Sequence, residues 1–240
     1  MIINHSKKFI FFANRKTAST SVAIALSSSC SNKDVITPLG RDEKIRKELN
    51  YQGPANFIPW WNKHRYLTIE AKSKFFKISA NESLKKVGLH THISADKALQ
   101  MKYIKQKIFE NYFTFCFIRN PWDHAISQFY WLKRKPSKAS LDLETFIYGG
   151  TLDSFAKGCR SIYSSNGKVI VDKLYKYEYL QEAVNTIFED LDLPGDPMLP
   201  RAKSNIRSDR RHYKDILNSQ QAETIGNLFS QEIELGGYSY

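Results

Sequence analysis

The chain has 240 residues, 42% of them hydrophobic and 13% aromatic, enough for one large α/β-sized core. Its net charge of +12 suits polyanions or a highly charged nucleotide. No run approaches the about 18 apolar residues of a membrane span, and no helix-turn-helix, zinc-finger or RNP pattern accompanies the charge, so a membrane span and a nucleic-acid partner are not expected.

Residues 8–26, KFIFFANRKTASTSVAIAL, open the argument. The apolar run over 9–13 predicts a buried strand, and the run over 22–26 the start of a helix. Between them lies a basic, hydroxyl-rich turn. The first amides of a helix have no intrahelical acceptor and carry the positive end of the dipole. Lys16 adds a full charge, and Thr17, Ser19, Thr20 and Ser21 add hydroxyl donors. The combination predicts an anion cradle. It is not a Walker loop, because no glycine stands anywhere in 8–26.

Residues 27–88 carry turn signals at Pro38, Gly40, Gly53, Pro54 and Pro59, with a short helix over 45–49. They read as an irregular insertion covering one face of the fold. Trp60 and Trp61 read first as packing and second as a sugar platform. A helix is expected over 94–109, with Ser94 as N-cap and Ala98, Met101, Ile104 and Ile108 at helical spacing. The run YFTFCFI over 112–118 has the look of a central strand covered on both faces. Pro121 suits the first turn of the next helix, whose inner side is Ala125, Ile126, Phe129 and Leu132. Asn166–Gly167 predicts a hairpin, and helices follow over 180–188 and 219–235. Alternating strands and helices predict a three-layer α/β sandwich with a central parallel sheet, and a single domain over 1–240. Cys30, Cys116 and Cys159 are odd in number without metal-ligand spacing, and no signal peptide is visible, so a reducing, cytoplasmic setting is expected.

Arg119 falls just past the strand over 112–118, where open α/β sheets bind ligands. A guanidinium there can grip a phosphate with both arms. Ser127, two helical turns on, offers a hydroxyl to the same anion.

With these two stretches the chain resembles the PAPS-dependent sulfotransferases, the carbohydrate branch in particular (PAPS is 3′-phosphoadenosine 5′-phosphosulfate). Their strand and K-T-x-[ST]-[ST] loop is similar to Arg15-Lys16-Thr17-Ala18-Ser19-Thr20-Ser21, and their R-N-P-[WY]-x-R-x-x-S-x-[YF] to 119–129, with His124 where arginine is common. Weaker likenesses fall at 91–95 (THISA), 167–180 and 233–240. The family fold is P-loop-like. The resemblance implies that Arg15 to Ser21, residue by residue Arg15, Lys16, Thr17, Ala18, Ser19, Thr20 and Ser21, hold the 5′-phosphosulfate, and that Arg119 and Ser127 hold the 3′-phosphate. It implies sulfuryl transfer to a hydroxyl of a carbohydrate-type, anionic acceptor, with Lys16 facing the leaving oxygen, His92 as base and no metal. His90, His124, His212, Glu70 and Glu82 are the other bases weighed. Tyr163 or an aromatic near Trp131 is a guess for the adenine pocket. Arg201, Lys203, Arg207, Arg210 and Arg211 form a basic stretch, read equally as a solvated loop and as an anion clamp. A P-loop kinase or hydrolase and a non-catalytic polyanion binder are the competing readings.

Overall fold

The computed structural model describes residues 1–76, 87–200, 202 and 209–240, the side chains of 70–76 excepted. Five strands form the main sheet: β1 (Ile2–Asn4), β2 (Phe9–Phe12), β3 (Val35–Ile36), β4 (Phe113–Ile118) and, last in the chain, Lys173–Lys176. The final strand is β7, because a hairpin of β5 (Ser164–Ser165) and β6 (Lys168–Val169) precedes it. The order is β3-β1-β2-β4-β7. The centre is parallel, β2 with β4 and β4 with β7, as expected; β1 and β3 extend it antiparallel. Thus part of the 27–88 stretch is the sheet's edge strand rather than only a cover.

Strand alternation divides the core. Phe9 and Phe11 of β2, with Phe115 and Phe117 of β4, pack against α1 (Ser19–Ser27) and a later helix, Leu180–Asp190. Ile10, Phe12, Cys116 and Ile118 face the other way, onto α4 (Ala95–Gln100) and the residues before the hairpin. Helices therefore cover both faces, the third and second layers of an α/β sandwich. Burying each of these aromatic side chains stabilises by about 1.5–3 kcal/mol.

Two long predicted helices are broken. The one over 94–109 is α4 followed by α5 (Gln106–Asn111). Ser94 caps it as expected, its Oγ accepting from the Lys97 amide at 3.2 Å. Lys102 is left-handed (φ 55°), which turns the chain so that Ile104 is buried while Met101 is left exposed. The one over 219–235 is Ser219–Leu228 and Ser230–Gly236, parted at Phe229, whose ring is fully buried and anchors the corner. The sequence reading holds for the short helix α2 (Glu43–Glu48), for α6 (Pro121–Lys133) with Pro121 in its first turn, and for a two-residue hairpin turn with Asn166 and Gly167 both left-handed. It missed α3 (Lys63–Phe76), which makes part of the 27–88 stretch helical rather than irregular, and the helices Leu143–Tyr148 and Thr151–Arg160. Among the described residues no helix is long and apolar enough to cross a membrane.

Candidate active site

Parallel pairing brings the carboxyl ends of three strands to one edge. Phe12 lies opposite Cys116, and Ile118 opposite Lys176. The chain leaving β2 at Asn14, the chain leaving β4 at Arg119 and the chain leaving β7 at Tyr177 are therefore neighbours, although 58 and more residues separate them in sequence.

The turn after β2 is held in an uncommon shape. Lys16 (φ 59°) and Ala18 (φ 51°) are both left-handed, at a cost of about 1–2 kcal/mol each for a residue with a Cβ. Three long-range bonds fix it. The buried Asn14 donates from Nδ2 to the Phe117 carbonyl at 3.1 Å and accepts from the Arg15 amide at 2.8 Å. His124 of α6 lies 2.7 Å from the Arg15 carbonyl through Nε2. Arg119 donates from Nη1 to the Lys16 carbonyl at 2.6 Å. The Thr17 hydroxyl is turned inward onto the Asn14 carbonyl at 3.3 Å. Ala18, the N-cap of α1, offers no side-chain bond, so no cap competes for the first-turn amides of that helix. Ser19, Thr20 and Ser21 lie in that buried first turn, and Arg15 is exposed beside it.

Arg119 is the hub. Its Nε donates to Asp123 Oδ2 at 2.8 Å and its Nη2 reaches the same oxygen. Nη1, besides holding Lys16, lies 3.3 Å from Ser127 Oγ. The guanidinium sits 4.0 Å over the Tyr177 ring. One residue on, the Asn120 amide donates to Glu178 at 2.7 Å, and the same carboxylate accepts from the Tyr238 hydroxyl at 2.8 Å. The Lys16 ammonium stands 4.4 Å from the Trp131 ring centre, with Arg134 at 4.8 Å from the same ring. A cationic rim thus runs from the turn along α6.

His92 Nδ1 lies 2.8 Å from the Ala13 carbonyl, one residue before Asn14. A carbonyl only accepts, so Nδ1 carries a proton there; in the neutral tautomer the lone pair then falls on Nε2. His124 differs: it is buried, and that burial, with the Arg119 charge next, pushes its pKa down to about 3. By the same logic Nε2 is its protonated nitrogen. Nδ1 is buried and lacks a hydrogen-bond partner among the described residues. His124 supports the turn and is not placed to shuttle protons near neutral pH.

The structure therefore gathers Arg15, Lys16, Thr17, Ala18, Ser19, Thr20, Ser21, Arg119, Ser127 and His92 around one sheet edge. Four participants were not read from the sequence: Asn14, Asp123, Tyr177 and Glu178. The spacing of Arg119 and Asp123, four apart at a helix start, was a signal available for one of them. Two guesses are corrected. Tyr163 is fully buried with its hydroxyl on Glu232 at 2.6 Å, so it offers no face to a base. Trp60 and Trp61 are exposed rather than packed in the core. Of the basic stretch, Arg210 is exposed and Arg211 is ion-paired to Asp209 at 2.7 Å; Arg201, Lys203 and Arg207 lie outside the described residues, as do Glu82 and the Glu70 side chain.

No family model matches the chain. Among solved structures, a sulfotransferase from Alicyclobacillus acidocaldarius overlays 95% of this chain and 92% of that one, at 13% identity and a TM-score of 0.42, a likeness too distant to carry an argument. Among curated proteins, an uncharacterized protein of Archaeoglobus fulgidus is 30% identical over 94 residues, which are 39% of this chain and 78% of that protein. The chain belongs to the same family as that archaeal protein.

Proposed function

We propose that the protein is a PAPS-dependent sulfotransferase acting on a hydroxyl of a carbohydrate-type acceptor, in a cytoplasmic setting. The observation that carries this reading is the Arg119 bridge: one guanidinium touches both the Lys16 turn and Ser127. Two candidate anion-binding stretches about a hundred residues apart in sequence are thereby adjacent in space, which supports their serving one nucleotide with two phosphate groups.

The residues fit that nucleotide. The first-turn amides of α1, with Lys16 and Arg15, suit the 5′-phosphosulfate. Arg119 and Ser127 suit the 3′-phosphate, with Asp123 and Tyr177 holding the guanidinium in one orientation. The co-substrate supplies an activated sulfuryl group. The chain supplies position and charge: Lys16 offers its ammonium to the negative charge that grows at the 5′ end, and His92 offers Nε2 to the proton of the acceptor hydroxyl. A kinase reading wants a carboxylate for magnesium at the end of β4, where this chain has Arg119. The three unpaired thiols support a reducing compartment.

Thermal shift tests the reading. Adenosine 3′,5′-bisphosphate at a hundred times its dissociation constant stabilises by about 2.7 kcal/mol, or roughly 5–11 °C for a chain of this size. ATP with magnesium is expected to do much less, and Arg119→Ala to remove most of the shift. No shift with the bisphosphate, or a shift indifferent to Arg119→Ala, would sink the assignment.

A further inference from the structure

Three large apolar side chains stand in solvent within eight positions: Trp60 is 77% exposed, Trp61 48% and Leu67 63%. They belong to a short helical turn, Trp60–Asn62, that runs directly into α3. Residues 60, 64 and 67 fall on one helical stripe, so Trp60 and Leu67 share a face with His64 between them. Lys63, His64 and Arg65 are all exposed. No acidic residue occurs from 60 to 69.

The inner side of the same turn is tied down. Asn62 is buried and donates from Nδ2 to the Val87 carbonyl at 2.8 Å, and Phe57 packs edge-on against Tyr66 at 6.2 Å. The apolar side chains are therefore presented outward on an anchored support. Nothing in the transfer site uses them.

Their arrangement separates two kinds of partner. A sugar stacks on a flat aromatic face. Here the two indoles stand edge-to-face, 88° apart with ring centres at 6.0 Å, and the third member is a branched aliphatic. A bilayer interface asks for something else: indoles at headgroup depth, an aliphatic side chain below them, and cations against anionic headgroups. This face has each of these, and no Asp or Glu stands between residues 60 and 69. The net charge of +12 adds long-range attraction.

We propose that the 60–67 face seats the protein on an anionic lipid surface, with the start of α3 lying in the plane of the interface. The contact is peripheral and needs no spanning segment. The docking itself does not depend on how the transfer site is read; with that site a transferase, it would bring the enzyme to acceptors carried at a membrane.

The test is co-sedimentation of the full chain with sucrose-loaded vesicles, either pure phosphatidylcholine or phosphatidylcholine with about 30% phosphatidylglycerol, at about 0.1 M salt. Binding to the anionic vesicles is expected to exceed that to neutral ones by at least about tenfold, and brominated lipid should quench tryptophan emission. Trp60→Ser with Trp61→Ser and Leu67→Ser should lower the affinity at least about tenfold and abolish the quenching, and Lys63→Glu with Arg65→Glu should lower the affinity similarly. All five positions are exposed, so unchanged circular dichroism is the check that the variants fold. Failure to sediment with anionic vesicles, or equal sedimentation of wild type and the apolar triple variant, overturns the proposal. So does emission that responds to soluble dextran sulfate and not to vesicles, which would assign the face to a glycan.

Discussion

Replacing Asn14 by alanine should reveal how far the cationic turn depends on its tether to the sheet. Asn14 is 2% exposed and makes one bond that crosses from the turn to the sheet, Nδ2 to the Phe117 carbonyl at 3.1 Å, and one within the turn, Oδ1 from the Arg15 amide at 2.8 Å. Each bond contributes about 1 kcal/mol, and each partner stranded in the interior adds a desolvation cost. The variant should therefore lose about 3 kcal/mol, a fall in Tm of roughly 6–12 °C for a domain of this length. Differential scanning calorimetry reads it directly. Asn14→Asp is the informative companion: it keeps the acceptor for Arg15 but sets a carboxylate against the Phe117 carbonyl, so it should fare no better. A fall of less than about 2 °C in both variants would refute the idea that this side chain holds the turn. If Tm falls as expected while affinity for adenosine 3′,5′-bisphosphate is unchanged, the turn is structural and the nucleotide site lies elsewhere.

Two further outcomes follow. His92→Ala should lower the sulfuryl-transfer rate by about 10²–10⁴ with little change in bisphosphate affinity, read by steady-state kinetics with a trial hydroxyl acceptor; a much smaller loss moves the base to His90 or a glutamate. His124 gives a pH prediction. Its folded pKa, about 3, lies below the usual 6.5, so the unfolded chain binds a proton that the folded chain refuses. The stability this group allows is complete above pH 6.5 and is lost as pH falls from 6.5 toward 3, at about 1.4 kcal/mol per pH unit. Urea denaturation of His124→Gln over pH 4 to 7 should show a slope shallower than wild type by one proton. Identical slopes would mean that His124 is not the buried neutral ring seen here.

What could be read in the sequence was what chain neighbours decide. The apolar runs that became β2 and β4, the Ser94 cap, the proline opening α6 and the Asn166–Gly167 turn all rest on residues within a few positions of each other. The two helix breaks could not be read so, because they are decided by burial: Phe229 turns the last helix to keep its ring inside, and Lys102 accepts a left-handed backbone so that Ile104 can be inside. The same holds for the partners of Arg119. Tyr177 comes to its face only through the parallel register that sets Ile118 opposite Lys176. Trp60 and Trp61 misled in the opposite direction, since an aromatic pair looks like core until the fold leaves it outside.

The absence of glycine in residues 8–26 is the most instructive case. It ruled out a Walker loop, yet the turn takes left-handed backbone at Lys16 and Ala18, where glycine would be the undemanding occupant. A lysine in that conformation persists only if its surroundings over-determine it. Here they do: the carbonyls of Arg15 and Lys16 are held by His124 and Arg119, both from the segment that follows β4. The shape that a glycine-rich loop takes from its own backbone freedom is imposed here by a second, distant motif. This explains why a cation-bearing loop can do without glycine. It also means that the two motifs are one mechanical unit: a change at Arg119 that leaves the Lys16 carbonyl unheld alters the turn as well as the charge beside Ser127.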